Sequence, residues 1–449
     1  MKKYSPLAFL FSLLFAVSAY AGEGRYTLPL TGGGWSLWLD KEASWQNDRL
    51  YLPHEITDLS LLPVNTPTGG WQALNDNLDA VSVEVPGTVE EYLTTSDNPR
   101  PEDFKGVSWW YRKITIPADQ ANKRHLIYFE SVRMRAEVYL DGKLVAYDLI
   151  GETPFHVDIT KEAKPGTEQL LAVRVTNPGG NFHWQDFDIQ KWGEYNIPPA
   201  RSFSGIIGRV KLESVNPVFI SDIYMQNTPE PTKVNAIISF TNETPSSVKQ
   251  DVELTVSEKN RPDKVVFRQL LKHVSFPPGK REMMIPVSVS DAKLWDLDTP
   301  ELYTCNIQIK KGKNTLDRDK KNFGFRWFSA EGVGTDAVLR LNGRRVMLRS
   351  AISWGYFPVT GLIATPEMAE KQVLTAKKLG LNMLNFHRCI GSPVVLEKTD
   401  ELGLLYYEEP GSFHSANHDP FIRTIVNEKL KRMVHRDRSH PSLIIFNLI

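Results

Sequence analysis

Cysteine is nearly absent: Cys305 and Cys389 are the only two in 449 residues. Two thiols in distant segments make no disulfide framework, and both are expected to be free and largely buried. The C-x-x-C, H-E-x-x-H and acidic calcium-loop spacings are missing too, so the sequence lends no support to a metal-defined function. Charge of one sign is also lacking. Lys plus Arg and Asp plus Glu each number 53, which argues against a nucleic-acid or anionic-membrane partner. Beyond the N-terminus no apolar run is long enough to span a bilayer. No internal repeat or low-complexity tract occurs.

What is present describes a multidomain globular chain. Hydrophobic residues make up 41% and charged residues 24%, and the length suggests about three domains. Eleven tryptophans give flat rings suited to sugar stacking or to filling cores. At the start, Lys2 and Lys3 precede an apolar run, Leu7 to Val17, and Ala19-Tyr20-Ala21 forms a small-x-small site. These are the three parts of a signal peptide, residues 1–21, and predict export to the periplasm or beyond.

The next ~200 residues read as short alternating strands. In "RAEVYLDGKLVAYD" (135–148), Asp141-Gly142 predicts a tight hairpin turn. Residues 22–217 are expected to form a jelly-roll sandwich. Strands "KVNAIISFTN", "DVELTVSEK", "REMMIPVSV" and "LYTCNIQIKK" then mark an immunoglobulin-like sandwich over 218–328. From 329 to 449 the pattern changes to strand–helix alternation. Strands are predicted at 345–351, 381–386, 404–409 and 442–449. Helices are predicted after Thr365-Pro366, after Ser392-Pro393, and from about Pro420 to Val434, with Gly380 and Gly403 as stops. Such alternation is the pattern of a parallel sheet, here the first half of a (β/α)8 TIM barrel.

The order of several short motifs resembles glycoside hydrolase family 2, the β-galactosidase, β-glucuronidase and β-mannosidase group. They are "GVSWWYRKITIP" (106–117), "FESVRMRAEVYLDGK" (129–143), "RSFSGIIGRVKL" (201–212), "LWDLDTPELY" (294–303), "FGFRWF" (323–328), "KKLGLNMLNFH" (377–387), "DELGLLYYEEP" (400–410) and "HPSLIIFNLI" (440–449). The resemblance implies a retaining hydrolase of O-glycosidic bonds in β-linked carbohydrates, acting on an oligosaccharide or glycoconjugate without an organic cofactor. The alternative is a non-catalytic carbohydrate-binding protein or an inactive fragment. In the family pattern the acid/base Glu follows strand four, just after Ile449, and the nucleophile lies near strand seven. Neither catalytic carboxylate is therefore expected within residues 1–449.

The substrate-rim candidates are Arg349 at the end of strand one, Trp354 after it, and Asn385, His387 and Arg388 after strand two. The family's usual Gly, His and Arg are replaced here by Ser350, Trp354 and Asn385, with Arg388 in the position of a second His. Glu409 ends strand three; it either binds sugar hydroxyls or forms a buried ion pair with Arg349 or Arg388. Glu408 points to the opposite side of the strand and is expected to be structural. The insert 177–202 offers His183, Trp184, Asp186 and Trp192 as a sugar subsite or a self-packed loop.

Overall fold

The computed structural model describes residues 24–76, 78–93, 104–180, 189–198, 203–355, 357, 360–411 and 419–447. The signal-peptide segment and residues Trp184 and Asp186 lie outside these residues. The fold is mostly β. Residues 26–215 form two large antiparallel sheets, one of six strands and one of four, and a separate two-stranded hairpin. Their facing sides share one core, including Trp35, Trp110, Phe129, Val138, Val173 and Leu212. Arg124–Phe129 shows the cause: its side chains alternate half-buried and buried along the strand, so one face meets the core. Asp141 and Gly142 both take positive φ, 49° and 80°, and close the Arg135–Leu140 and Lys143–Asp148 hairpin as predicted.

A second pair of antiparallel sheets, of three and four strands, spans residues 218–323. Its core holds Ile238, Phe240, Val252, Leu254, Ile307 and Cys305. Cys305 is fully buried, and burial pushes its thiol up to about 12. Cys389 is also buried and outside any disulfide among the described residues.

The last section is a four-stranded parallel sheet with helices between the strands: β1 (Ser350–Ser353), α1 (Pro366–Lys378), β2 (Met383–Phe386), α2 (Pro393–Leu402), β3 (Leu405–Glu408), α3 (Pro420–Asp437) and β4 (Leu443–Phe446). Local chemistry sets the boundaries. The Thr365 hydroxyl accepts the Met368 amide at 3.2 Å, and Pro366 occupies the first helical position. Ala369, Val373 and Ala376 face the core. Gly403 ends α2 at φ 72°. Asp419 caps α3 by accepting the Phe421 and Ile422 amides.

The first parallel strand differs from its expected span of 345–351. Asn342 and Gly343 adopt positive φ and turn the chain back, so Arg344–Arg345 pairs antiparallel with Val338–Leu341. Parallel pairing starts only at Ser350. There the Asn382 side chain accepts the Arg349 amide at 2.7 Å and donates to Met347 O at 2.9 Å.

Both β units pack onto this sheet. The Trp295 ring is fully buried and its indole N–H donates to Asp400 O at 2.8 Å. The Lys377 ammonium donates to three carbonyls, those of Leu297, Leu402 and Gly403. Helix α3 buries Ile425 against Leu50, Met134, Leu149 and Trp192 of the first unit, and Arg432 pairs with Asp148 at 2.7 Å.

The turn before β4 is tied to α2 by Asp400, which accepts from Ser442 N and Oγ and faces His440 Nδ1 at 2.6 Å. Burial works to lower the His440 pKa, but the Asp400 carboxylate outweighs it and the net shift is upward. The folded state therefore holds this proton more tightly than the unfolded chain. That stability is complete below about pH 6.5 and is lost as pH rises through the raised value. Melting curves across pH 5.5 to 8.5 should show this alkaline decline in the native chain and a shallower one in Asp400→Asn.

Candidate functional site

In the open parallel sheet the strands' C-terminal ends form one edge, and four of the candidate residues meet there. His387 follows β2 and is placed by its amide, which donates to Ser353 O at 2.9 Å. Glu409 follows β3. Its Oε1 lies 3.1 Å from His387 Nδ1, and its Oε2 accepts the Arg388 amide at 3.0 Å. A carboxylate can only accept, so Nδ1 of His387 carries the proton there. Trp354 follows β1 and packs edge-on to the His387 ring, with centroids 5.0 Å apart and planes at 80°. The Arg388 guanidinium stands 6.0 Å from the Trp354 ring centre, at the outer limit of a cation–π contact.

Arg388 pays a conformational penalty to be there. Its φ is +62°, a left-handed backbone that non-glycine residues rarely adopt, and such strain collects at functional sites. The bond from its amide to Glu409 holds it. Gly411 passes close by: a Cβ on it would sit 2.9 Å from Arg388 O.

The remaining candidates do not join this group. Arg349 precedes β1 rather than ending it, so it stands at the opposite end of the sheet. There its Nε donates to Gly380 O at 2.6 Å. The parallel pairing begins one residue later than Arg349, which removes it from the rim. Asn385 lies within β2, in register with Ile352 and Tyr407. Its Oδ1 is buried without a hydrogen-bond partner among the described residues. Trp192 is buried rather than open to a ligand: Arg135 stacks over it at 4.9 Å and its indole N–H donates to Trp45 O at 2.9 Å.

Glu409 thus pairs with His387 and the Arg388 backbone, not with the Arg349 or Arg388 side chains. Glu408 points to the other side of the strand, as its alternation with Glu409 predicts. It is fully buried, and its Oε1 accepts the Gly391 amide at 3.1 Å and Arg436 at 3.3 Å. Arg436 also grips Asp437 at 2.6 Å and Gly391 O at 2.7 Å. The motif reading missed Arg436; its only sequence mark is "HRDR" late in α3. Burial first, then the Asp437 carboxylate, push Glu408 well above the usual carboxylate range, with Arg436 opposing them. Glu408→Gln preserves a neutral acceptor and should change unfolding free energy by less than about 1 kcal/mol, whereas Arg436→Met strands buried carboxyls and should cost about 3–5 kcal/mol in urea titrations.

The Glycosyl hydrolases family 2 model matches residues 218–326, and the Glycosyl hydrolases family 2, sugar binding domain model matches residues 71–198. A beta-galactosidase of Thermoanaerobacter pseudethanolicus is 27% identical over 352 residues, which are 78% of this chain and 45% of that protein. A beta-glucuronidase of Formosa agariphila is 25% identical over 362 residues, 76% of this chain and 36% of the relative. The chain spans less than half the length of these relatives. In solved structures, Bacteroides uniformis beta-glucuronidase superposes with a TM-score of 0.71 at 20% identity, covering 94% of this chain and 47% of that one. At that identity the likeness is one of fold. The two family models between them match more than half of the residues, and the chain belongs to glycosyl hydrolases family 2.

Proposed function

We propose that this chain supplies the scaffold and part of the substrate rim of an exported hydrolase of β-linked O-glycosides. The observation that carries the reading is the convergence of Trp354, His387, Arg388 and Glu409 at the C-terminal edge of four parallel strands. In α/β barrels that edge is where substrates react. On this reading the units are a jelly roll over 22–217, an immunoglobulin-like sandwich over 218–328, and half of a (β/α)8 barrel over 329–449. The N-terminal segment directs export.

Each rim group has a chemical task. The Trp354 ring offers an apolar face to a pyranose. His387, oriented by Glu409, and the Arg388 guanidinium supply polar contacts to hydroxyl or carboxylate substituents. Glu409 is a positioning residue, because both of its oxygens are already engaged by the loop after β2. Retention of configuration needs two carboxyl groups about 5–5.5 Å apart, one as acid/base and one as nucleophile. Glu408 cannot serve as either, being buried behind the sheet on Arg436. We assign both reacting carboxylates to sequence outside residues 1–449.

Aryl β-galactoside and aryl β-glucuronide assays test this directly. The 449-residue chain alone should release no phenol. The protein expressed from the uninterrupted reading frame should hydrolyse at least one of the two, and proton NMR should show the β-anomer forming first. In that protein Glu409→Gln should lower kcat/KM roughly 10- to 100-fold through the loss of His387 orientation. Inactivity of the longer protein on β-glycosides overturns the reading.

A further inference from the structure

The hairpin Gln190–Trp192 and Tyr195–Ile197 has no role in the edge site, yet it borders an open groove of ≈ 450 Å³. The buried Leu50 and Leu52 lie beneath it. One wall is aromatic: Tyr195 and Phe421 pack with ring centroids 4.9 Å apart and planes at 39°. The rim carries Arg49 and His54 against Glu55 and Glu194.

We propose that this groove is a second carbohydrate subsite, taking neutral β-linked oligosaccharide. The inference rests on the glycosidase reading for its location but not for its chemistry. Aromatic faces accept the C–H faces of pyranose rings, and polar groups at a groove's edge hydrogen-bond the hydroxyls. The rim charges oppose one another, so neither a polyanion nor a polycation gains there. Arg49 lies over the Tyr51 ring at 4.9 Å and makes no ion pair among the described residues, leaving its N–H donors for hydroxyl oxygens. The volume falls in the usual range for ligand pockets, about 300–1,000 Å³.

The groove is also built in advance. Asn196 Nδ2 donates to Asp419 Oδ2 at 2.6 Å, locking the hairpin to the start of α3. Trp192 and Trp45 pack edge to face at 5.7 Å beneath it. Gly193 turns the hairpin at φ 57°, where a Cβ would lie 2.9 Å from Gln46 O. A rigid site loses little entropy on binding. Helix α3 begins where the chain leaves the C-terminal end of β3, so Phe421 and Glu409 share one end of the sheet.

Calorimetric titration of the 449-residue chain with cellohexaose, xylohexaose and β-1,4-galactohexaose tests this without requiring hydrolysis. At least one should bind. Tyr195→Ala should weaken it about tenfold. The exposed Arg49→Ala, which cannot disturb the core, should weaken it several-fold, with unchanged far-UV circular dichroism in both. The proposal fails if none of the three binds, if both variants bind as the native chain does, or if an oligogalacturonate binds more tightly than all three. Aryl glycosides, too short to reach the groove, judge the glycosidase reading separately.

Discussion

The Arg436 guanidinium is the contact on which the C-terminal edge of the parallel sheet depends. It is 8% exposed at its side chain and reaches Asp437, Glu408 and Gly391 O together. Burying this charge is costly, and the cost is offset because the Asp437 carboxylate, a Glu408 carboxyl oxygen and a carbonyl all lie within reach. The consequence is geometric. Helix α3, strand β3 and the loop after β2 are pinned at one point. That loop carries His387, Arg388 and Cys389, and Glu409 continues from Glu408. The two adjacent glutamates therefore divide the work: Glu408 anchors the strand from behind, and Glu409 orients the imidazole in front.

The β units extend the same logic. The second unit's contacts with this section fall on its helix ends and turns: Trp295 on Asp400 O near the end of α2, Leu297 O on the Lys377 ammonium of α1, and Arg326 on Pro441 O and Leu443 O. Burial drives the Arg326 guanidinium down to about 10, a measure of how dry this junction is. From the other side, α3 sits on the first unit through Ile425 and the Arg432–Asp148 pair. The sheet is thus held at its N-terminal end by the second unit and along α3 by the first.

Much of this was legible where the governing interaction is local. Asp141-Gly142, Thr365-Pro366 and Gly403 act within a few residues, and their turn, cap and stop appear as read. The alternation of Glu408 and Glu409 also follows from the strand's period of two. Long-range contacts were not legible. Arg349 was placed at the wrong end of its strand because Asn382, 33 positions later, decides where parallel pairing begins. Trp192 looked like a stacking platform, but Arg135 and Trp45 bury it. Nothing near Arg436 in sequence announces that it meets Glu408, and the ligand-facing role of that hairpin passes to Tyr195, a neighbour across the turn.

The most direct test of the central claim is a crystal structure of the protein, expressed from its full reading frame, with a non-hydrolysable aza-sugar bound. The account predicts the ring against Trp354 and Arg388, with His387 within hydrogen-bond distance and Glu409 still bound to His387 rather than to the ligand. An aza-sugar seated away from the C-terminal edge of β1 to β4, with those four residues facing empty solvent, would contradict it.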